Sequence, residues 1–378
     1  MSGPIPIMLM ARELGPGGTE RQLTEIARAL DRSLFDVHVA CFHEGIRSEE
    51  LRRAGVQVLR LRVTSFMRPN ALAGAWQLGA YLRKHRIQIV HTFDYPLNCF
   101  GVPVARAFGV PIVLSSQRAH RDLTPGLYRR ILRFTDKLVD GIVVNSDAVR
   151  RDLVANEHLP ASLLHLCYNG IDLSRFHPEA RTRIPALAGS SIVIGIVCVL
   201  RPEKGIPLLV KAFARSAIQD RNARLLIVGS GPELPALETL ATELGIRDQC
   251  IFQPAVSDVA PWLQSIDIFV LPSLSEALSN SLMEAMASGC MCIASNTGGN
   301  PELIRHGHTG LLFQPGDPDD LTKKLRSVIA DAQLRTELAQ ASTELVHRQF
   351  SLQASVTCMQ SIYQAYLTAK RSAKLKQQ

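Results

Sequence analysis

What this chain of 378 residues lacks narrows its chemistry first. It has no CxxC pair. Its eight cysteines, at positions 41, 99, 167, 198, 250, 290, 292 and 358, are scattered, and most fall in apolar, strand-like runs. Neither a zinc site nor a disulfide framework is indicated, and free thiols buried in a reducing compartment are the expected state. No long hydrophobic run is present: Ile192 to Leu200, the longest, is too short to span a bilayer. Residues 1–11 carry neither a basic n-region nor a cleavage site, so no signal peptide is expected. Also absent is G-x-G-x-x-G, the turn that would mark a dinucleotide cofactor site. These absences point to a cytoplasmic protein without a bound redox cofactor.

The balance that is present, 46% hydrophobic and 20% charged, is that of an ordinary globular protein, and the length favours two domains. Positive charge is uneven. Residues 1–180 hold 23 Lys and Arg against 17 Asp and Glu, out of 42 and 34 in the whole chain. A basic first half suits an anionic partner, a lipid surface or a phosphorylated acceptor, as well as it suits an Arg-rich proteome. No nucleic-acid partner is expected.

Along the chain, apolar strand-like runs alternate with helical periodicity. Ile5 to Met10 is a strand, Gly15 to Glu20 a Gly-rich turn, and Leu23, Ile26, Ala27 and Leu30 fall at helical spacing. That is the first unit of a doubly wound sheet. Further strands are expected at 36–41, 56–61, 87–91, 111–115, 140–144 and 163–168, and helices at 47–54, 71–85, 97–108, 126–138 and 146–156. The strands are near-continuous Val, Ile and Leu runs, as parallel strands covered on both faces require. Residues 177–191 read as a linker. A second set follows: a strand at Ile192–Leu200, a helix from Pro207 to Ala217, a strand at Arg224–Val228 and a helix reaching Leu244. The last segment, 351–370, is helical, with Ala354, Cys358, Ile362 and Tyr366 on one face.

The stretch from Pro272 to Gly310 carries the chemistry. The run Ile268–Leu271 ends at Pro272 like a buried parallel strand, and a small polar loop containing Glu276 follows. Ser279 or Asn280 can cap the next helix, whose body is Leu282, Met283, Ala285, Met286 and Ala287 and whose stop is Gly289. A helix start of this kind is a natural anion site. Glu284 sits among the apolar residues of that helix, where an unpaired charge is costly. A second Gly-marked turn, Thr297–Asn300, opens another short helix. Two such starts after adjacent strands suggest a site for a phosphorylated ligand.

Several features on the way are read two ways. Gly17 and Gly18 either make a turn or let backbone approach a ligand. Arg201 and Lys204 leave a strand end on the side where ligands bind in parallel sheets. Asp317, Asp319 and Asp320 look like a metal triad on paper, but more simply cap the following helix; no metal is expected. Arg129, Arg130, Arg133 and Lys137 face away from Leu127, Ile131, Phe134 and Leu138, which fits either a membrane-surface helix or a core helix with a solvated face. The loop Ser65–Pro69 places apolar residues where they reach a lipid, an acceptor or the interior. His120, alone in a loop, is ordinarily solvent-exposed, and Arg118 suits an acceptor phosphate or carboxylate.

At these residues the chain resembles the retaining GT-B glycosyltransferases of glycosyltransferase family 4. The resemblance rests on E-x7-E running into EAMASG, then GGNPELI and HGHTGLL, and extends from Gly15 to about Tyr366. It implies two Rossmann-like parallel-sheet domains facing across a cleft, with a C-terminal helix crossing back to the first. The boundaries would be 1–178 plus about 355–370 for the acceptor-binding domain, and 190–350 for the nucleotide-sugar domain. By the same resemblance, Arg201 and Lys204 hold the donor diphosphate with the amides of Asn280, Ser281 and Leu282. Glu276 contacts donor-sugar hydroxyls, Glu284 the ribose hydroxyls, Gln253 and Pro254 lie where the base is read, and the Gly17–Gly18 segment faces the cleft. Family members often place a His near the end of the 111–116 strand; here Gln117 and Arg118 stand at that point and His120 comes later. The implied reaction is hexosyl transfer from a nucleotide-diphosphate sugar to a glycan, lipid-linked or other acceptor, with retention and without metal. The setting would be bacterial polysaccharide or glycolipid synthesis, in the cytoplasm or on the inner face of the membrane. The competing readings are a GT-B nucleotide-sugar epimerase, a two-domain dehydrogenase and a non-catalytic nucleotide- or glycan-binding subunit.

Overall fold

The computed structural model describes residues 3–63, 70–180, 183–217 and 220–375. The loop Ser65–Pro69 lies outside the described residues. The chain divides into two compact units, one of Met1–Gly170 with Leu352–Gln378 and one of Ile171–Ser351.

The first unit alternates β1 (Ile5–Glu13), α1 (Gly18–Ala29), β2 (Phe35–His43), α2 (Ile46–Arg53), β3 (Gln57–Arg60), α3 (Asn70–Lys84), β4 (Ile89–Thr92), α4 (Tyr95–Ala107), β5 (Ile112–Gln117), α5 (Gly126–Thr135), β6 (Gly141–Val144), α6 (Asp147–Asn156) and β7 (Leu164–Leu166). Its seven strands run parallel in the order β3-β2-β1-β4-β5-β6-β7. Strand order reverses between β1 and β4, the crevice where such sheets bind ligands. The continuous apolar runs are explained by burial: Ile7 to Ala11, Ile89, Val90 and Ile112 to Leu114 are all essentially inaccessible.

The second unit contains β8 (Val193–Val197), α7 (Ile206–Ala217), β9 (Arg224–Val228), α8 (Leu234–Glu243), β10 (Cys250–Gln253), α9 (Ala260–Gln264), β11 (Ile268–Leu271), α10 (Asn280–Ala287), β12 (Met291–Ser295), α11 (Asn300–Leu303), β13 (Leu311–Phe313), α12 (Pro318–Ala330) and α13 (Ala332–Gln349). Its six strands are also parallel, in the order β10-β9-β8-β11-β12-β13, reversing between β8 and β11. The strand expected over 192–200 pairs only to Val197, because Cys198 and Leu200 instead donate to the carbonyls of Val228 and Ser230 at the sheet end.

The final helix, α14 (Leu352–Leu375), belongs to the first unit. Val356, Met359 and Tyr363 enter the core around β1, β2 and β4. The Tyr363 ring meets Phe35 edge-on at 5.9 Å. Its hydroxyl lies 2.8 Å from His91 Nδ1, and His91 Nε2 lies 2.8 Å from Ser116 Oγ. Burial, aided by the nearby Arg118 charge, pushes the His91 imidazole down to about 3. Tyr366 completes the attachment by donating to the Asp140 carbonyl at 2.8 Å.

Helix α5 departs from the expected pattern. It ends at Thr135, so Lys137 and Leu138 lie beyond it. Its buried residues are Leu132 and Thr135, while Leu127 and Phe134 are exposed with Arg130 and Arg133. The apolar stripe and the core-facing side are different faces, and periodicity alone does not say which face meets the core.

Candidate functional site

The second sheet's reversal point is built from the loops after β8, β11 and β12. After β8, Arg201 leads a single turn, Pro202–Lys204, closed by Gly205 at φ +62. A Cβ on Gly205 would stand 2.3 Å from the Pro272 carbonyl oxygen, so only glycine admits this approach. After β11, the Leu274 amide donates to the Glu203 carbonyl at 2.8 Å, lacing the two loops together. The lacing brings residues 72 positions apart into contact: Lys204 Nζ lies 2.7 Å from Glu276 Oε2. Ser273 Oγ donates to the same oxygen at 3.2 Å. Burial alone would lower the Lys204 pKa, but the Glu276 carboxylate outweighs it and the pKa is raised. The site therefore keeps a fixed ammonium beside a fixed carboxylate.

Helix α10 begins just beyond. Ser279 is its cap, accepting from the Leu282 amide at 3.3 Å, with Ser281 Oγ 3.2 Å from its hydroxyl. The Leu282 amide is thus already engaged, and Asn280 and Ser281 form the opening of the helix. The positive end of α10 is directed from the same sheet end as Lys204. Glu284 is only 3% exposed, within a helix whose neighbours Leu282, Met283, Ala285 and Met286 are buried.

The loop after β12 locks Glu276 from the other side. Gly298 has φ +52, and a Cβ there would fall 1.6 Å from the Glu276 carbonyl oxygen. Ser295 Oγ donates to the Ser273 carbonyl at 2.5 Å, and Asn300 Nδ2 to the Ser295 carbonyl at 3.0 Å. Asn300 Oδ1 is buried and, among the described residues, has no hydrogen-bond partner.

The other expected residues are distributed around this centre. Arg201 is 61% exposed and 3.9 Å from Glu203, reaching outward. Gln253 closes β10 at the sheet edge, where its carbonyl takes the Gly229 amide at 2.8 Å, and Pro254 is exposed beside it. Gly17 and Gly18 lie in the first unit, at the cap and first position of α1. Arg118 follows β5 and stacks over Phe93 at 4.9 Å, with Nη1 donating to Asn169 Oδ1 at 2.6 Å. His120 is half-buried rather than open to solvent, with Nδ1 3.4 Å from Asp152 Oδ2. Asp317 caps α12 through the amides of Asp319 and Asp320, and Asp319 pairs with Arg215 at 2.6 Å. Among the described residues, no group of three or more His, Cys, Asp or Glu could hold a metal ion.

Sequence reasoning missed Ser273, Ser295 and Asn300 as supports of Glu276. Ser273 and Ser295 carry a faint signal, each being polar at or just past the end of an apolar strand run. It also missed Phe93 and Asn169 as partners of Arg118, which are brought near only by the sheet order.

Comparison with known proteins adds a family to this geometry. The model of Glycosyltransferase Family 4 matches residues 16–175, and that of Glycosyl transferases group 1 matches residues 179–345. A GDP-mannose-dependent alpha-(1-6)-phosphatidylinositol monomannoside mannosyltransferase of Mycobacterium tuberculosis is 30% identical over 79% of this chain and 81% of its own. An N-acetyl-alpha-D-glucosaminyl L-malate synthase of Bacillus anthracis is 29% identical over 81% of this chain and 82% of its own. Among solved structures, Anabaena HepE in complex with UDP and glucose superposes with a TM-score of 0.82 over 95% of this chain and 98% of its own. At 20% identity that likeness is one of fold. With both units matched by family models and near-full-length kinship to a named mannosyltransferase, the chain belongs to glycosyltransferase family 4, the group 1 glycosyl transferases, and is a hexosyltransferase-type glycosyltransferase of GT-B fold.

Proposed function

We propose that the loops around Lys204 and Glu276 bind a nucleoside-diphosphate sugar, and that its glycosyl group passes, with its anomeric configuration kept, to an acceptor held by the first unit. The observation that carries this reading is the Lys204–Glu276 contact of 2.7 Å across the reversal point of the second sheet, at the positive end of α10. In transfer, the bond from the anomeric carbon to the diphosphate oxygen breaks, a new bond to an acceptor hydroxyl oxygen forms, and the hydroxyl proton leaves. Negative charge grows on the departing diphosphate, and in this reading Lys204 and the opening amides of α10 meet it, with Arg201 turning in from its exposed position. Glu276 accepts from hydroxyls of the donor sugar and fixes its position. Glu284 accepts from ribose hydroxyls, and Gln253 and Pro254 border the base. With these cations supplying the positive charge, no metal is required.

GDP-mannose in the name of the M. tuberculosis relative and UDP in the HepE complex support a nucleotide-sugar donor, and the same relative's name supports a glycolipid acceptor. Nothing in the geometry favours the epimerase or the non-catalytic subunit. Among the described residues, no helix is long and apolar enough to cross a membrane. We assign reversible contact with an anionic membrane to α5 and the turn before it, where Leu127 and Phe134 of the helix are 65% and 59% exposed beside Arg130 and Arg133, and Leu123 of the turn is 56% exposed.

A thermal-shift panel of UDP, GDP, ADP and NAD, with and without EDTA, tests the donor site. One nucleoside diphosphate at ~100 times its dissociation constant should raise the melting temperature by a few degrees, regardless of EDTA. Lys204→Ala should weaken that shift, and Lys204→Ala and Glu276→Ala should each cut sugar transfer at least ~100-fold. No nucleotide shift, or near wild-type turnover in either variant, removes the assignment.

A further inference from the structure

The first sheet reverses between β1 and β4, and at the end of β5, the next strand, a cation stands without a counter-ion among the described residues. Phe93 directly follows β4, and the Arg118 guanidinium lies over its ring at 4.9 Å. Among the described residues, the fork makes one hydrogen bond, to Asn169 Oδ1, and Nε is buried with no partner. No carboxylate lies within ion-pair distance of it among those residues. The ionisable neighbours that raise its pKa are the Cys167 thiol and the Tyr363 phenol, and burial, the larger effect, pulls Arg118 down to about 10. A desolvated guanidinium without an anion is unfavourable unless a ligand supplies one.

A second orphan stands on the neighbouring strand. Gln117 and Val144 are the last register partners of β5 and β6, so Arg118 and Asn145 are the first residues beyond that pair. Asn145 Oδ1 is buried and likewise has no partner. Asn145 immediately precedes Ser146, the cap of α6, so the positive end of that helix starts next to Asn145. An unmatched donor of positive charge and an unmatched acceptor thus leave adjacent strands of one sheet at its ligand-binding end.

We propose that Arg118 and Asn145 read the acceptor, and that this acceptor carries a phosphate or carboxylate beside a free hydroxyl. The guanidinium fork takes two anion oxygens, and Asn145 Oδ1 accepts from the neighbouring hydroxyl. This rests on the reading that the first unit binds the acceptor. It makes Arg118 and Asn145 specificity-determining residues that reject neutral acceptors, because an uncharged ligand covering the half-buried guanidinium would leave it unmatched.

The test is binding by the full chain, saturated with whichever nucleoside diphosphate stabilises it so that the diphosphate site is filled. Inorganic phosphate is titrated against chloride at equal ionic strength, and glycerol phosphate is titrated in parallel. A phosphate-specific rise of about 2 °C is expected. Arg118→Met should abolish it, Arg118→Lys should weaken phosphate binding about tenfold, and the nucleotide shift should persist in both. Glycerol phosphate should bind about tenfold tighter than phosphate, and Asn145→Ala should erase that difference. No anion-specific rise in the wild-type chain, or one that survives in Arg118→Met, overturns the proposal. If Arg118→Met does not fold, an unweakened phosphate response in Arg118→Lys overturns it instead. Repeating the phosphate titration on Lys204→Ala, without nucleotide, separates this failure from failure of the donor reading.

Discussion

Glu276 is held by Lys204 through its side chain and by Gly298 through its backbone, and the two holds are separable. Gly298→Ala must move the Glu276 carbonyl and also accept a left-handed backbone. A loss of about 1–3 kcal/mol in stability is expected, accompanied by a loss of transfer. Gly316, at φ +80 with open space around it, isolates the backbone effect. Gly316→Ala should cost about 1 kcal/mol and leave transfer intact. Urea unfolding and turnover of the two variants, side by side, check this; equal turnover would show that Gly298 does not position Glu276. In the first unit, His91 gives a pH signature. Its folded pKa of about 3 lies below the ordinary value of 6.5, so its contribution to stability is present above pH 6.5 and is lost as pH falls towards 3. Asp94 acts oppositely. Burial raises it to about 6, so its contribution is present below the ordinary carboxylate range and is lost as pH rises through 6. The His91 effect is therefore read as a difference: the stability gap between wild type and His91→Gln should shrink by about 2 kcal/mol from pH 7 to pH 5. Urea unfolding followed through Trp76 in a Trp262→Phe chain measures it, and a gap independent of pH would refute it.

Among the elements, α5 presents two exposed apolar residues, Leu127 and Phe134, that the described residues of its own unit leave uncovered. Depletion onto vesicles of anionic lipid at low salt should be strong, should fall at high salt as screening shortens the reach of Arg130 and Arg133, and should drop several-fold in Leu127→Ser/Phe134→Ser. Equal depletion by the double variant would remove α5 from the contact. The same helix marks the limit of what pattern conveys. Its period announces a helix, and the start at Gly126 is legible, yet the core meets Leu132 and Thr135 rather than the apolar stripe. Strands were legible for a physical reason: parallel strands covered on both faces become unbroken Val, Ile and Leu runs, and nearly every such run pairs where it was expected. The burial of Glu284 was legible too, because it stands among apolar neighbours on a short helix. Arg118 was legible only as a charge near a strand end. That it is stacked on Phe93 and short of partners depends on β4, β5 and β6 being neighbours, which is tertiary information.

At the scale of the whole chain, the GT-B architecture was readable because two rounds of strand–helix alternation are separated by a stretch rich in Pro, Ala, Gly and Ser taken together. The meeting of Lys204 and Glu276 followed from sheet order, since β8 and β11 are adjacent although two strands intervene in sequence. The final helix makes the first unit discontinuous: its sheet is formed by residues before 170, but Val356, Met359 and Tyr363 of its core come from the last segment. Translation therefore delivers the two sheets in one order and allows them to mature in the other. Residues 171–351 are synthesised before α14, so every strand and helix of the second unit is translated while the first still lacks the phenol that meets His91. Until α14 joins it, the first unit lacks Val356, Met359 and Tyr363 and its core stays open, a state exposed to aggregation.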